Sequence, residues 1–138
     1  MTKVFIDIGA YKGLKVDELI ARQTDSDYVV HCFEPNPQLS QELRQKYHNN
    51  SNVVVHEKAI GSQNETVDFY ISNFAPCSSL KPFVAGGEAH QYWSSIIGEY
   101  QQDLKPLETS QVIKVETIRL DTFIEKESIN FIESIKID

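Results

Sequence analysis

The sequence predicts an alternating α/β fold on a parallel sheet, and three observations lead there. The stretch VFIDIGAYKG (4–13) runs from an apolar strand into a glycine-containing turn, and helical spacing follows it. Two more strand-like stretches, YVVHCF (28–33) and VVVHEKAI (53–60), are separated by a second helical stripe. Strand, helix, strand, helix, strand is the first half of a doubly wound sheet. The first strand also lacks alternation. Val4, Phe5, Ile6 and Ile8 suit a strand covered on both faces, as parallel strands are.

In chain order, the first turn holds Gly9 and Gly13. Without a Cβ, backbone amides can approach a ligand there, and the next helix can pack close to the strand. Val16, Leu19, Ile20 and Gln23 then fall near helical spacing, in a helix whose N-terminus points back at the turn. This is the architecture of a nucleotide pocket. A tight turn that merely carries two glycines is the plainer reading. Thr24-Asp25-Ser26-Asp27 is a polar turn before the second strand, which runs into Glu34-Pro35-Asn36-Pro37. Pro37 suits a first helical position behind an Asn36 cap. Leu39, Leu43 and Tyr47 form one apolar stripe, and the polar run HNNSN (48–52) stops it. The third strand and its exit occupy 53–60, closed by Gly61.

The second half changes character. Residues 66–72 alternate, with Val67, Phe69 and Ile71 on one face, and VIKVETIRL (112–120) reads as an antiparallel partner. The insertion between them, 73–111, is long for a compact domain, and 81–111 is predicted to be a lid or binding loop. A helix within 88–104, around Tyr92, Ile96, Ile97 and Tyr100, packed on the sheet edge is the alternative. Asp121 is placed as the cap of a short helix through Phe123 and Ile124, and FIESIKI (131–137) as the last strand. One domain, 1–138, is expected at this length.

Composition excludes several function classes. At 41% hydrophobic and 24% charged the chain is globular rather than disordered. Thirteen basic residues stand against 20 acidic ones, a net charge of -7, with no basic run. That argues against broad electrostatic binding to nucleic acid or an anionic membrane. Cys32 and Cys77 make neither a disulfide framework nor a metal cluster, which suits a reducing cytoplasm. The chain enters a strand after Lys3 without a signal-peptide pattern, so a cytoplasmic protein is expected. No apolar run approaches the ~18 residues of a membrane span.

The chemistry-bearing residues gather at strand ends. Asp7 lies in a buried strand beside the turn, where an ionised carboxylate needs the turn's amides or a cationic ligand as partner. It either braces the loop or meets a ligand, and the two roles are compatible. Glu34 closes the second strand, the place from which an acid accepts ribose hydroxyls, though a solvated strand-end acid is the bland reading. Ala59 and Ile60 suit either an adenine or ordinary strand-end packing. Asp138 ends the last strand and faces the same crevice. His31 and His56 lack metal-ligand spacing and read as core or edge histidines. His90 and Trp93 line a cleft or, more simply, a core. No catalytic triad is assignable by spacing, and no Walker lysine-serine pair follows the turn.

The first turn reads D-x-G-A-x-x-G, so the dinucleotide pattern G-x-G-x-x-G is not met. It resembles instead the S-adenosylmethionine-binding turn of class I methyltransferases. VFIDIGAYKG, CFEPNP, EKAIG followed by VDFYIS, CSSL, VETIRLDTF and INFIESIKID stand in the order typical of the FkbM-type methyltransferase family. The likeness covers nearly the whole chain and is weakest over 84–111.

This resemblance implies a Rossmann-like class I methyltransferase sheet with an antiparallel hairpin insertion, and S-adenosyl-L-methionine as cofactor without a metal. Asp7, Gly9, Ala10 and Gly13 would surround the methionine end, with Asp7 acting mainly through the turn's amides. Glu34 would hold the ribose hydroxyls, with Pro35 and Asn36 shaping that wall. Lys58, Ala59 and Ile60 would border the adenine, and Ser79 would reach the cofactor or substrate loop. Asp138 would stand near the transferring methyl group as the catalytic residue. Family members are associated with O-methylation of sugars or polyketide-type compounds, so a small hydroxylated acceptor is implied. Such a transfer needs in-line alignment and a base for the hydroxyl.

The family usually continues past K-I-D with V-E-G-A-E, a helix and further strands. A sheet lacking its C-terminal strands is therefore expected, with Phe131, Ile132, Ile135 and Ile137 on an open edge that would pair two copies as a homodimer. Two rival functions use the same residues. One is a non-catalytic cofactor-binding or interaction module. The other is a nicotinamide-dependent oxidoreductase, which Ala10 disfavours.

Overall fold

Apolar strands joined through helices pair in parallel, because each crossover returns the chain to the same end of the sheet. The computed structural model describes residues 1–72, 78–81 and 109–138. In it β1 (Lys3–Ile8), β2 (Tyr28–Phe33), β3 (Val53–His56) and β7 (Ser134–Ile137) form a four-stranded parallel sheet in the order β3-β2-β1-β7. This mixed α/β arrangement, mainly parallel, accords with a Rossmann-like fold. The chain divides into two compact units, one of Met1–Thr66 with Val115–Asp138 and one of Val67–Lys114.

Two apolar clusters cover the faces of the parallel sheet. On one, Phe5, Val30 and Cys32 pack with Val16 of α1 (Leu14–Arg22), Leu43 of α2 (Pro37–Lys46) and Tyr47. On the other, Val4, Ile6 and Phe33 pack with Ile118 and with Phe123 of α3 (Leu120–Lys126). Strand residues alternate between the two, so covering both faces removes the need for polar positions. Asn36 caps α2 as its sequence predicts: Oδ1 accepts from Gln38 N at 3.0 Å and Leu39 N at 3.5 Å, with Pro37 in the first turn. His31 is a core group and His56 a half-buried one beside it. Their rings stack 5.2 Å apart, with Nδ1 of His31 3.0 Å from Nε2 of His56, and Phe123 meets both edge-on.

Three expectations need correction. The single third strand is two strands: β3 ends at His56, and β4 (Ala59–Ile60) pairs in parallel with β6 (Thr109–Ile118) in a second sheet that also holds β5 (Glu65–Ser72), in the order β4-β6-β5. The polar pair Glu57-Lys58 causes the break. Ser40 Oγ donates to Glu57 Oε1 at 2.6 Å, and Lys58 lies 3.6 Å from Glu116 on β6. Secondly, α3 is capped by Arg119, and Asp121 lies inside its first turn, where it accepts from Thr122 N at 2.8 Å and pairs with the Arg119 guanidinium. Thirdly, β7 begins at Ser134, so Phe131 precedes it and is 53% exposed. As the last strand in the sheet order, β7 leaves Ile137 70% exposed.

β5 neighbours β6, which covers 109–118 instead of 112–120. Ser110 contacts Ile71, Lys114 pairs with Asp68, and Thr117 contacts Glu65, so position rises on one strand as it falls on the other. Most of the expected lid (82–108), the helix within 88–104, His90 and Trp93 lie outside the described residues, as does Cys77. Among the described residues no helix is long and apolar enough to cross a membrane.

Candidate functional site

The sheet order places β2 on one side of β1 and β7 on the other, which makes the carboxyl end of β1 the switch point where such sheets usually take a ligand. The turn after β1 is built from left-handed residues: Gly9 (φ 81), Tyr11 (φ 53) and Gly13 (φ 81). A side chain at Gly13 would strike the Tyr47 hydroxyl and come within 3.1 Å of Leu43, so only glycine lets α1 start there. A Cβ at Gly9 would come 3.3 Å from the Cβ of Asp138, which shows how closely the last residue of the chain approaches the turn. Ala10 is buried with its methyl in the cluster of α1 and α2, so its backbone is what it offers a ligand.

The turn's amides are engaged within the protein. Gly9 N and Ala10 N donate to Phe33 O at 2.9 and 3.1 Å, Gly13 N donates to Ala10 O at 2.9 Å, and Tyr11 N donates to Glu34 Oε1 at 3.0 Å. They therefore do not brace Asp7, contrary to the sequence expectation. Asp7 is 0% exposed, and neither carboxylate oxygen has a hydrogen-bond partner among the described residues. Its compensation is an ion pair: Lys136 Nζ lies 3.0 Å from Oδ1, off the line a hydrogen bond requires. Strand register explains the meeting, since Asp7 on β1 is opposite Lys136 on β7 and Cys32 on β2. Burial raises the Asp7 pKa, and Lys136 opposes that rise. Burial, with Asp7 beside it, pushes the Cys32 thiol up to about 12. Cys32 is therefore an inert core group.

Glu34 closes β2, 6% exposed, and among the described residues its carboxylate is held by backbone alone: Tyr11 N on Oε1 and Asn36 N on Oε2, each at 3.0 Å. Burial raises its pKa, and the two amides oppose the rise. A carboxylate has about four acceptor positions, so two remain for a ligand with paired hydroxyls. Pro35 stands between Glu34 and Asn36, whose side chain serves the helix cap, so both shape the wall through backbone and packing. Asp138 ends the chain beside Gly9, its backbone N donating to Ile8 O at 3.2 Å and its carboxylate paired with Lys136.

The structure thus brings Asp7, Gly9, Glu34 and Asp138 to neighbouring strand ends. Lys58, Ala59 and Ile60 follow β3 in the same unit. Lys58 pairs with Glu116, Ala59 is buried in β4, and Ile60 packs on the cluster of Phe33 and Phe123. Ser79 belongs to the second unit, where its backbone bridges to Tyr70 and its Oγ accepts from Lys81 N at 3.2 Å. Sequence reasoning missed Lys136 and Tyr11. A signal for Lys136 existed: VFIDI and SIKI each carry one charge in an apolar strand, and the signs are opposite. Tyr11 gave none, because its role rests on a left-handed backbone.

Searches of curated proteins and of solved structures returned no match. A family model for the methyltransferase FkbM domain matches residues 7–138, from the buried acid of β1 to the last residue beside the turn. The chain belongs to the FkbM methyltransferase family and is a methyltransferase.

Proposed function

We propose that the switch point at the end of β1 binds S-adenosyl-L-methionine and directs its methyl group to the hydroxyl of a sugar or another small hydroxylated acceptor. The observation that carries this reading is Glu34, a buried carboxylate fixed by two amides with acceptor capacity left over. A ribose diol fits such a group, and Asp7 Oδ2, buried without a hydrogen-bond partner among the described residues, fits a cationic or donor group of the methionine end. The cofactor, when bound, supplies an activated methyl on a sulfonium. The chain's own part is alignment: Gly9 admits close approach, Glu34 fixes one end, and Asp138 is assigned as the base that takes the acceptor's proton. Lys58, Ala59 and Ile60 are assigned to the adenine and Ser79 to the cofactor or substrate loop on family likeness.

Isothermal calorimetry with S-adenosylhomocysteine and with NAD, on wild type and on Glu34→Ala, tests the pocket. Heat with the first ligand alone, lost in the variant, is expected. No heat with S-adenosylhomocysteine, or none lost on mutation, would sink it. Single-turnover methyl transfer to a panel of sugars tests the acceptor class. We also assign self-association to the β7 edge, and sedimentation showing only monomer at high concentration would refute that.

A further inference from the structure

Lys136 meets three oxygens that belong to three parts of the site, two through hydrogen bonds and one through an ion pair. Nζ lies 3.0 Å from Asp7 Oδ1 at the end of β1, 3.2 Å from Gly9 O in the turn, and closer still to Asp138 Oδ2 at the end of β7. Its side chain is only 26% exposed, so the charge is partly withdrawn from water and its attraction to Asp7 is weakly screened. We propose that Lys136 is a positioning residue for the cofactor turn: one ammonium pairs with Asp7 and holds the Gly9 carbonyl and the Asp138 carboxylate in register with it. This rests on the reading that the turn holds S-adenosylmethionine, and it adds a residue that acts through others.

Charge around Asp7 favours this role over simple bracing. The groups facing it are Lys15 of α1, Cys32 of β2, Glu34 after β2, Tyr47 at the end of α2, and Lys136 and Asp138 of the β7 end. Cys32 and Tyr47 stay neutral, both raised first of all by burial. Glu34 and Asp138 add negative charge. Of the two lysines, Lys136 has the larger effect on Asp7. Without it, burial and the neighbouring acids push a fully buried carboxylate further toward its protonated form.

The test has a ligand-free arm and a ligand arm. Carbon-detected NMR titration of the Asp7 carboxyl compares wild type with Lys136→Met and Lys136→Arg. The Met variant is expected to titrate about one unit higher or more, and the Arg variant near wild type. Calorimetry with S-adenosylhomocysteine then runs from about pH 5 to about pH 9. Lys136→Met should bind about ten-fold more weakly near pH 6 and recover as Asp7 ionises, whereas Lys136→Arg should keep the wild-type profile. A merely structural lysine would weaken binding equally at every pH. An unmoved Asp7 titration, or a Met variant with wild-type affinity and profile, would overturn the proposal. If Lys136→Met does not fold, the neutral pair Asp7→Asn with Lys136→Met takes its place. Weak, pH-independent binding is then expected, and wild-type affinity overturns the proposal. If wild type itself gives no heat, the cofactor assignment fails, and the titration alone still decides whether Lys136 controls Asp7.

Discussion

Glu34 and Asp7 are both buried carboxylates at the ends of adjacent parallel strands, and they are stabilised by different means. Glu34 takes two backbone amides, one from Asn36 two residues on and one from the facing turn. Asp7 has no amide and takes an ammonium from β7, near the other end of the chain. Amides held by a turn and a capped helix are in place once the β1-α1-β2-α2 segment has folded. A lysine on the last strand arrives only when that strand docks. The acid at Glu34 is thus local in its support, and the acid at Asp7 depends on the whole parallel sheet.

The largest effect should come from breaking the distant support. Lys136→Met leaves a buried charge unpaired, and denaturant unfolding near pH 7 should show a loss of about 3 kcal/mol, the low end for a broken buried pair because Lys136 keeps some water. The sign with pH follows from Asp7, whose folded pKa is raised above its unfolded 3.8. Such a group contributes fully below the unfolded pKa, and its contribution is lost as pH rises through the folded one. The deficit of Lys136→Met should therefore shrink in acid, and Asp7→Asn with Lys136→Met should regain most of it.

Breaking the local support should cost less. Glu34→Ala strands the amides of Tyr11 and Asn36, and a loss of about 2 kcal/mol in the same unfolding measurement is expected, because water can reach half-buried Tyr11. Asn36→Ala removes the α2 cap and should cost about 1 kcal/mol. A Glu34→Ala loss exceeding that of Lys136→Met would reverse the comparison.

The opposite face of the sheet supplies the smallest effect and a control. Burial lowers the pKa of His31, and burial with the neighbouring His31 takes His56 from 6.5 to about 4. The unfolded chain binds these protons first, so their contribution is complete above pH 6.5 and declines as pH falls toward 4. His56→Phe should flatten that acid-side decline, measured as urea midpoints at several pH values. An unchanged slope would mean that the pair titrates normally in the folded protein.

Much of the fold was legible because its signals are local. YVVHCF is β2 residue for residue, and Asn36-Pro37 begins α2 through cap geometry that four residues contain. The VVVHEKAI stretch misled because its apolar run continues past Glu57-Lys58, while contacts from α2 and β6 turn the chain out of the sheet. Asp121 misled because a capping residue type stands two places from the actual cap. Of the site, Glu34 was legible as a strand-end acid, but its two amide partners were not, since one depends on Tyr11 adopting a left-handed backbone.

The sequence by itself determined the strands and helices, the glycine turn and the acids at strand ends, because periodicity, caps and chain reversals act over a few residues. Tertiary structure alone decided which groups compensate those acids. Register sets Lys136 opposite Asp7 across two strands far apart in sequence, and no local pattern encodes register between them. The burial that makes Asp7 depend on this lysine arises only when α1, α2 and β7 close around it.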